Sequence, residues 1–159
     1  MISFEPIGTV HSPYHVAEDM PIQASAARGV RGTVEVFPRF AAGLKDLDGF
    51  SHVILLYHFH AASAPKLLVV PYLDTELRGV FATRAPARPN PIGLSVVRLI
   101  RVAGAVLEVE GVDVIDGTPL LDIKPYVPRF DGRRAERIGW LSKRVEGMNR
   151  NKSDKRFGG

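Results

Sequence analysis

The sequence predicts a mainly β protein: a small antiparallel, closed or nearly closed β-barrel with one or two short helices. Two observations carry that prediction. Six or seven short apolar stretches recur along the chain, and no helical stretch between them has the length a parallel crossover needs. In addition, no Gly-x-Gly-x-x-Gly follows a strand and opens a helix, and no phosphate-loop Gly-Lys-Ser/Thr occurs, which argues against a Rossmann sheet.

The elements follow in order. Residues Ser3 to Val10 come close to apolar alternation and read as a first strand, with Gly8 as a bulge position. Residues 11–29 have no clean period, and long loops of this kind tend to carry function. Gly32 to Phe37 alternates as a second strand. Pro38 then opens a helix in which Phe40, Leu44 and Leu47 recur at helical spacing and Gly49 closes the run. Ser51 to Phe59 is apolar almost throughout and reads as a strand buried on both faces. Lys66 to Leu73 is a further strand, with Pro71 placing it at an edge or a strand end. Gly79 to Thr83 is a short strand leading into a proline-rich loop. Leu94 to Val102 and Val106 to Val114 form a hairpin turned at Gly104. Pro119, Pro125 and Pro128 interrupt the chain after that. Ala135 to Val145 reads as a helix with Ile138, Leu141 and Val145 on one face. The organisation is therefore a barrel over residues 1–131, a basic helix over 132–146 and a disordered basic tail over 147–159.

The 159 residues, 45% hydrophobic and 24% charged, suit one compact domain with a working core. The chain has no cysteine. Thiolate zinc sites, iron–sulfur clusters, thiol nucleophiles and disulfides are thereby excluded. Glu5, Pro6 and His11 interrupt the apolar residues of the N-terminus, so neither a signal peptide nor a membrane span is expected there. Cytoplasmic residence is the matching expectation. From Gly132 onward there are nine cations against three anions, whereas residues 1–131 carry a net charge of −2. A basic tail on a weakly acidic body reads either as a contact for an anionic partner such as RNA or as a solubilising end.

Three stretches can carry chemistry. Gly79 to Ser95 places Arg84, Arg88 and Asn90 among Pro86, Pro89 and Pro91. Prolines leave such a loop little conformational entropy to lose, so it suits recognition of a carboxylate, a phosphate or a base edge. Asp116-Gly117-Thr118-Pro119 is a turn, since Asp bonds its following backbone and Gly supplies positive φ. Asp122 and Lys124 then share one face of an extended segment, either as a site pair or as a surface ion pair. His58 and His60 have the spacing of two metal ligands, but no third ligand is in view, and no metal is expected.

The strings GVFATRAPARPNPIGLS, DGTPLLDIKPY, LDGFSHVILLYHFH and IGTVHSPY resemble the TsaA-like (TrmO, YaeB, VirR) family from about Ile7 to Pro128. The resemblance implies a dimeric β-barrel enzyme using S-adenosylmethionine to methylate the exocyclic amine of threonylcarbamoyl-adenosine beside the tRNA anticodon. It also implies cofactor contacts at Gln23, Ala24 and Ser25, at Phe59 and His60, at Arg84, Leu94 and Ser95, and at Asp116, Gly117, Thr118 and Pro119. For the chemistry, Asp122 and His60 are the candidate bases. Arg88, Asn90, Lys124 and Tyr126 are the candidate substrate contacts. Two alternatives share the same strand pattern: a non-catalytic barrel binding an adenosine-containing ligand or RNA, and a small-molecule methyltransferase.

Overall fold

A computed structural model describes residues 1–16, 28–72 and 74–143. The chain divides into two compact units, Met1–Tyr126 and Val127–Gly159. Among the described residues of the first unit there are eight strands: β1 Gly8–His11, β2 Arg31–Val36, β3 His52–His58, β4 Leu68–Val69, β5 Arg78–Gly79, β6 Ile92–Ala103, β7 Val106–Glu110 and β8 Thr118–Pro125. Six of them close a barrel in the order β1-β2-β7-β6-β3-β8, every pairing antiparallel. The expected fold class is what forms. β4 and β5 make a separate two-stranded ribbon.

The barrel interior is aliphatic. Val10, Val34, Val53, Leu55, Val97, Leu107, Val109 and Leu120 are buried along alternating positions of their strands, as a wall with one dry face requires. That alternation corrects the reading of β3. Val53, Leu55 and Tyr57 are buried, but His52, Ile54, Leu56 and His58 are only half-buried on the outer face. In a closed barrel the core touches one face of each strand, so the other face of β3 is left partly open to solvent.

Other elements differ from expectation for local reasons. β1 starts at Gly8 rather than Ser3, because Pro6 has no N–H to donate and residues 1–6 are exposed. Gly8 is in register with both Val36 and Leu120, so it marks a close approach of β2 rather than a bulge. A β-carbon there would overlap the Glu35 carbonyl oxygen. The helix after Pro38 is two 3₁₀ segments, Pro38–Leu44 and Leu47–Gly49, divided at Asp46 with φ 68°. Gly79 ends β5, and Val80–Ala82 is a 3₁₀ turn anchored by buried Val80. β7 stops at Glu110 because Gly111 turns the chain at φ 97°. β8 was not expected among so many prolines. Pro119 and Pro125 stand at its second and last positions, so only its ends lose a donor, and it forms the stave between β1 and β3. Gly104 turns the β6–β7 hairpin at φ 61°, as expected.

In the second unit the described structure is a short helix α1, Pro128–Asp131, capped where the Val127 N–H donates to Asp131 Oδ2 at 2.7 Å. The helix expected from Ala135 does not form over 135–140. Gly139 takes φ 62° in the middle of it, and helical backbone resumes only at Leu141. Residues 144–159, including the tail expected to be disordered, lie outside the described residues.

Candidate functional site

The strand register gathers three connections at one end of the barrel. Val10 pairs with Thr118, His58 with Ile92, and Arg31 with Glu110. The segments after β1, between β3 and β6, and between β7 and β8 therefore all leave from that end. Phe59, His60, Arg84, Arg88, Asn90, Asp116 and Gly117 lie in these connections. Leu94, Ser95, Thr118 and Pro119 lie on the first residues of the strands they enter. Gln23, Ala24 and Ser25 fall outside the described residues.

The turn at 116–119 is heavily anchored. The Asp116 carboxylate accepts from the Ser12 backbone N–H at 3.0 Å and lies 3.3 Å from His11 Nδ1, while His11 Nε2 lies 3.1 Å from Glu35 Oε2. The Asp116 N–H donates to the Tyr14 carbonyl at 2.6 Å. Gly117 takes φ 83°, and the Thr118 hydroxyl donates to the Ile115 carbonyl at 2.5 Å. The Ser12 N–H first, and then His11 and His15, hold the Asp116 carboxyl below the usual carboxylate range.

The proline-rich loop is braced rather than merely stiff. Arg88 Nη1 donates to the Thr83 carbonyl at 2.9 Å and the Ala85 carbonyl at 3.2 Å. The Phe59 N–H donates to the Pro91 carbonyl, and the Lys66 N–H to the Ala87 carbonyl. Arg88 thus spends donors on its own loop. Arg84 is exposed and makes no hydrogen bond or ion pair among the described residues. Asn90 and His60 are also exposed.

Leu94 and Ser95, being consecutive on β6, face opposite sides of the wall. Leu94 is 52% exposed outside and Ser95 is buried inside. Ser95 joins a polar chain within the aliphatic barrel. Its Oγ donates to Asp113 Oδ1 at 2.6 Å and lies 2.7 Å from the Tyr57 hydroxyl. A serine hydroxyl has one proton, so with Asp113 ionised the Tyr57 hydroxyl must donate to Ser95. Burial, followed by the Asp113 charge, pushes the Tyr57 hydroxyl up to about 12, while Ser95 and the Arg84 guanidinium act the other way. Burial also raises Asp113.

Lys124 and Tyr126 lie toward the opposite rim, whereas Asp122 pairs in register with Leu56, at the same level as Leu94, on the outer face of the wall. Asp122 Oδ2 lies 2.8 Å from Lys124 Nζ, both groups substantially exposed, which is the surface-pair arrangement. Asp122 also lines an open pocket of about 420 Å³ with Phe40, Leu44, Lys45 and Ile123. Tyr126 meets His52 edge-on, with ring centroids 6.3 Å apart. The two candidate bases thus stand apart: His60 is in the loop after β3, and Asp122 is on the outer wall, tied to Lys124.

The tRNA-methyltransferase O N-terminal domain model matches residues 9–132. The chain belongs to the TrmO family. A probable S-adenosyl-L-methionine-binding protein of Pyrococcus abyssi is 60% identical over 157 residues, covering 99% of this chain and 85% of that protein. A human tRNA (adenine(37)-N6)-methyltransferase is 37% identical over 134 residues, covering 80% of this chain and 30% of that protein. A crystal structure of TrmO superimposes with a TM-score of 0.75 at 37% identity, covering 99% of this chain and 77% of that one.

Within this TrmO-family barrel, Tyr57, Asp113 and His11 join the candidate residues although their sequence context does not mark them. Tyr57 looks like one more apolar residue of a strand run, and Asp113 like the end of one. Only the register that puts Tyr57 and Ser95 side by side inside the wall reveals them. The pairing of His11 with Asp116 spans 105 positions and leaves no trace in local spacing.

Proposed function

We infer that this chain is an S-adenosylmethionine-dependent tRNA (adenine-N6) methyltransferase, and we propose that its target is N6 of threonylcarbamoyl-adenosine beside the anticodon. The observation that carries this is the family match over residues 9–132, each of whose distinctive strings has one of its ends at the loop end of the barrel.

The residues there suit S-adenosylmethionine by their chemistry. Arg84 offers a guanidinium not spent on protein partners, fit for the amino-acid carboxylate. Phe59, half-buried at the strand end, offers an aromatic face for the adenine. The 116–119 turn offers a fixed carboxylate and backbone groups for hydroxyls or an ammonium. Gln23, Ala24, Ser25, His60, Leu94 and Ser95 complete the proposed set. When bound, the cofactor supplies an electrophilic methyl group on a sulfonium.

The protein's own work is then alignment and proton removal. In-line displacement needs nucleophile and methyl carbon held near contact, which a braced loop and an anchored turn favour. The exocyclic nitrogen of the substrate is conjugated to a purine and a carbonyl, so its lone pair is poor and its proton relatively acidic. A positioned base helps such a nucleophile. His60 is on the correct end for that role. Arg88 and Asn90 present a rigid polar edge to the substrate, and the basic residues after Gly132 favour its phosphates.

The working assembly we propose is a homodimer acting on tRNA in the cytoplasm. Ile92, Leu94 and Val96 form an exposed apolar stripe on the outer face of β6. Leu67, Leu68, Val70, Tyr72, Leu77 and Phe81 expose more apolar surface around the β4–β5 ribbon. Incubation with methyl-labelled S-adenosylmethionine and bulk tRNA, then digestion and nucleoside identification, tests the reading. Label in N6-methyl threonylcarbamoyl-adenosine is expected. Absence of labelled nucleoside refutes the enzyme, and label in another nucleoside refutes the target.

A further inference from the structure

We propose that Asp113, held by Ser95 and Tyr57, is the base that takes the proton from the methylated nitrogen. This rests on the methyl-transfer reading above and takes the role from both earlier candidates. Asp122 stands on the outer wall beside Lys124, and the exposed His60 ring makes no hydrogen bond among the described residues.

Four observations carry it. Asp113 lies three residues before Asp116, in the β7–β8 connection at the end where the cofactor strings gather. It is half-buried, whereas Tyr57 and Ser95 are 4% and 7% exposed, so the chain runs from the barrel interior to a carboxylate that is not sealed from solvent. With Asp113 ionised the chain runs Tyr57 to Ser95 to Asp113, so the Ser95 hydroxyl points at the carboxylate and the Tyr57 hydroxyl holds Ser95 in that orientation. Finally, the barrel has an aliphatic interior that would close without this chain. A buried polar group left to no purpose is a cost, and these three are packed with care: Gly93 gives up its side chain to seat the Tyr57 ring.

The step balances. The substrate N–H passes its proton to a carboxylate oxygen of Asp113 as the N–CH₃ bond forms and the sulfonium S–CH₃ bond breaks. The positive charge on sulfur and the negative charge on Asp113 disappear together, leaving a neutral amine, a thioether and a carboxylic acid. Tyr57 and Ser95 are positioning residues. Burial raises the Asp113 carboxyl, which brings its basicity nearer to neutrality. The titratable and charged groups on the surrounding elements are Tyr57 and His58 on β3, Arg84 in the loop, Arg98 and Arg101 on β6, Glu108 and Glu110 on β7, Arg31 and Glu35 on β2, and His11 and Asp116 beside the turn. Of these, Tyr57 alone is linked to Asp113 through Ser95.

The test pairs single-turnover methyl transfer to tRNA across pH with a carbon-13 NMR titration of labelled aspartate carboxyls in the full chain. The rate is expected to fall in acid with the midpoint at which Asp113 titrates, above the ordinary aspartate range. Asp113→Asn keeps the acceptor for Ser95 but removes the base. It is expected to flatten the acid limb and slow transfer by about 10²- to 10⁴-fold, with calorimetric affinity for S-adenosylmethionine retained. Ser95→Ala removes a donor to the carboxylate, so both the rate midpoint and the NMR midpoint are expected to move to higher pH. An active wild type with an equally active Asp113→Asn variant overturns this proposal alone. So does an acid limb unmoved in Ser95→Ala, which decides the matter if Asp113→Asn does not fold. A wild type that transfers no methyl group to tRNA overturns the function reading and this step with it.

Discussion

Gly93 stands opposite Tyr57 across the β3–β6 ladder, and the tyrosine ring occupies the space a side chain at 93 would need. A β-carbon there would overlap Tyr57 Cε2 and come within 2.7 Å of Phe59 Cζ. The two rings meet edge to face with centroids 5.5 Å apart, so neither can yield without displacing the other. Gly93→Ala is therefore expected to destabilise the barrel by about 1–3 kcal/mol through overpacking. Urea unfolding measures this, and a variant as stable as the wild type would mean the rings repack freely.

Asp113 carries an expectation for stability as well as for rate. Burial raises its carboxyl in the folded state, so the folded chain keeps that proton to higher pH than the unfolded chain does. Ionisation of Asp113 consequently costs stability above its folded pKa. The cost fades as pH falls through that value and is gone below the unfolded one. Asp113→Asn is expected to melt above the wild type near neutrality, with the gap closing in acid. Thermal melts across that range check it; a gap that widens in acid has the wrong sign for a raised carboxyl.

How much of the fold and site is legible in the sequence depends on which link each feature lives on. The barrel is legible because β2, β6 and β7 announce themselves by alternation and because Gly104 turns their hairpin. The 116–119 turn is legible through Gly117, whose φ of 83° is a local demand. The role of Asp116 is not legible: its carboxylate accepts from the distant Ser12 N–H and lies beside His11 rather than bonding its own following backbone. β8 is not, since Pro119 and Pro125 argue locally against a strand. Their cost is outweighed by pairing with β1 on one side and β3 on the other, a benefit only the closed barrel supplies. The helix expected at Ala135 fails on one backbone angle at Gly139. Asp122 and Lys124 do share one face, but which end of the barrel that face serves depends on register. The polar chain through Tyr57, Ser95 and Asp113 is long-range throughout.

Arg84 separates binding from folding. Its guanidinium is exposed and makes no hydrogen bond or ion pair among the described residues, so the fold gains little from it. Arg84→Lys keeps the charge and loses the planar fork. Its melting temperature is expected to match the wild type while methyl-transfer efficiency falls by about tenfold or more, as for one missing charge-assisted hydrogen bond of about 1.5–3 kcal/mol. Arg88, whose Nη1 braces the loop, is the contrast: Arg88→Ala should loosen the loop and lower the melting temperature. Normal turnover in Arg84→Lys would make Arg84 a solvated loop residue.

The charge asymmetry of the chain gives the remaining expectation. Removing residues 147–159 deletes Arg150, Lys152, Lys155 and Arg156 against Asp154, a net loss of three positive charges. The barrel unit ends at Tyr126 and every proposed cofactor residue precedes Leu120, so affinity for S-adenosylmethionine should hold. Affinity for tRNA should drop, because each cation that neutralises a phosphate releases a counterion. The slope of log affinity against log salt should shrink by roughly 0.7 to 0.9 for each phosphate that is no longer neutralised. The slope discriminates better than the affinity does, since a generally damaged protein binds less tightly without changing how many phosphates it covers. Binding measured over a salt series decides it. An unchanged slope would assign these cations to solubility and leave tRNA recognition to the barrel.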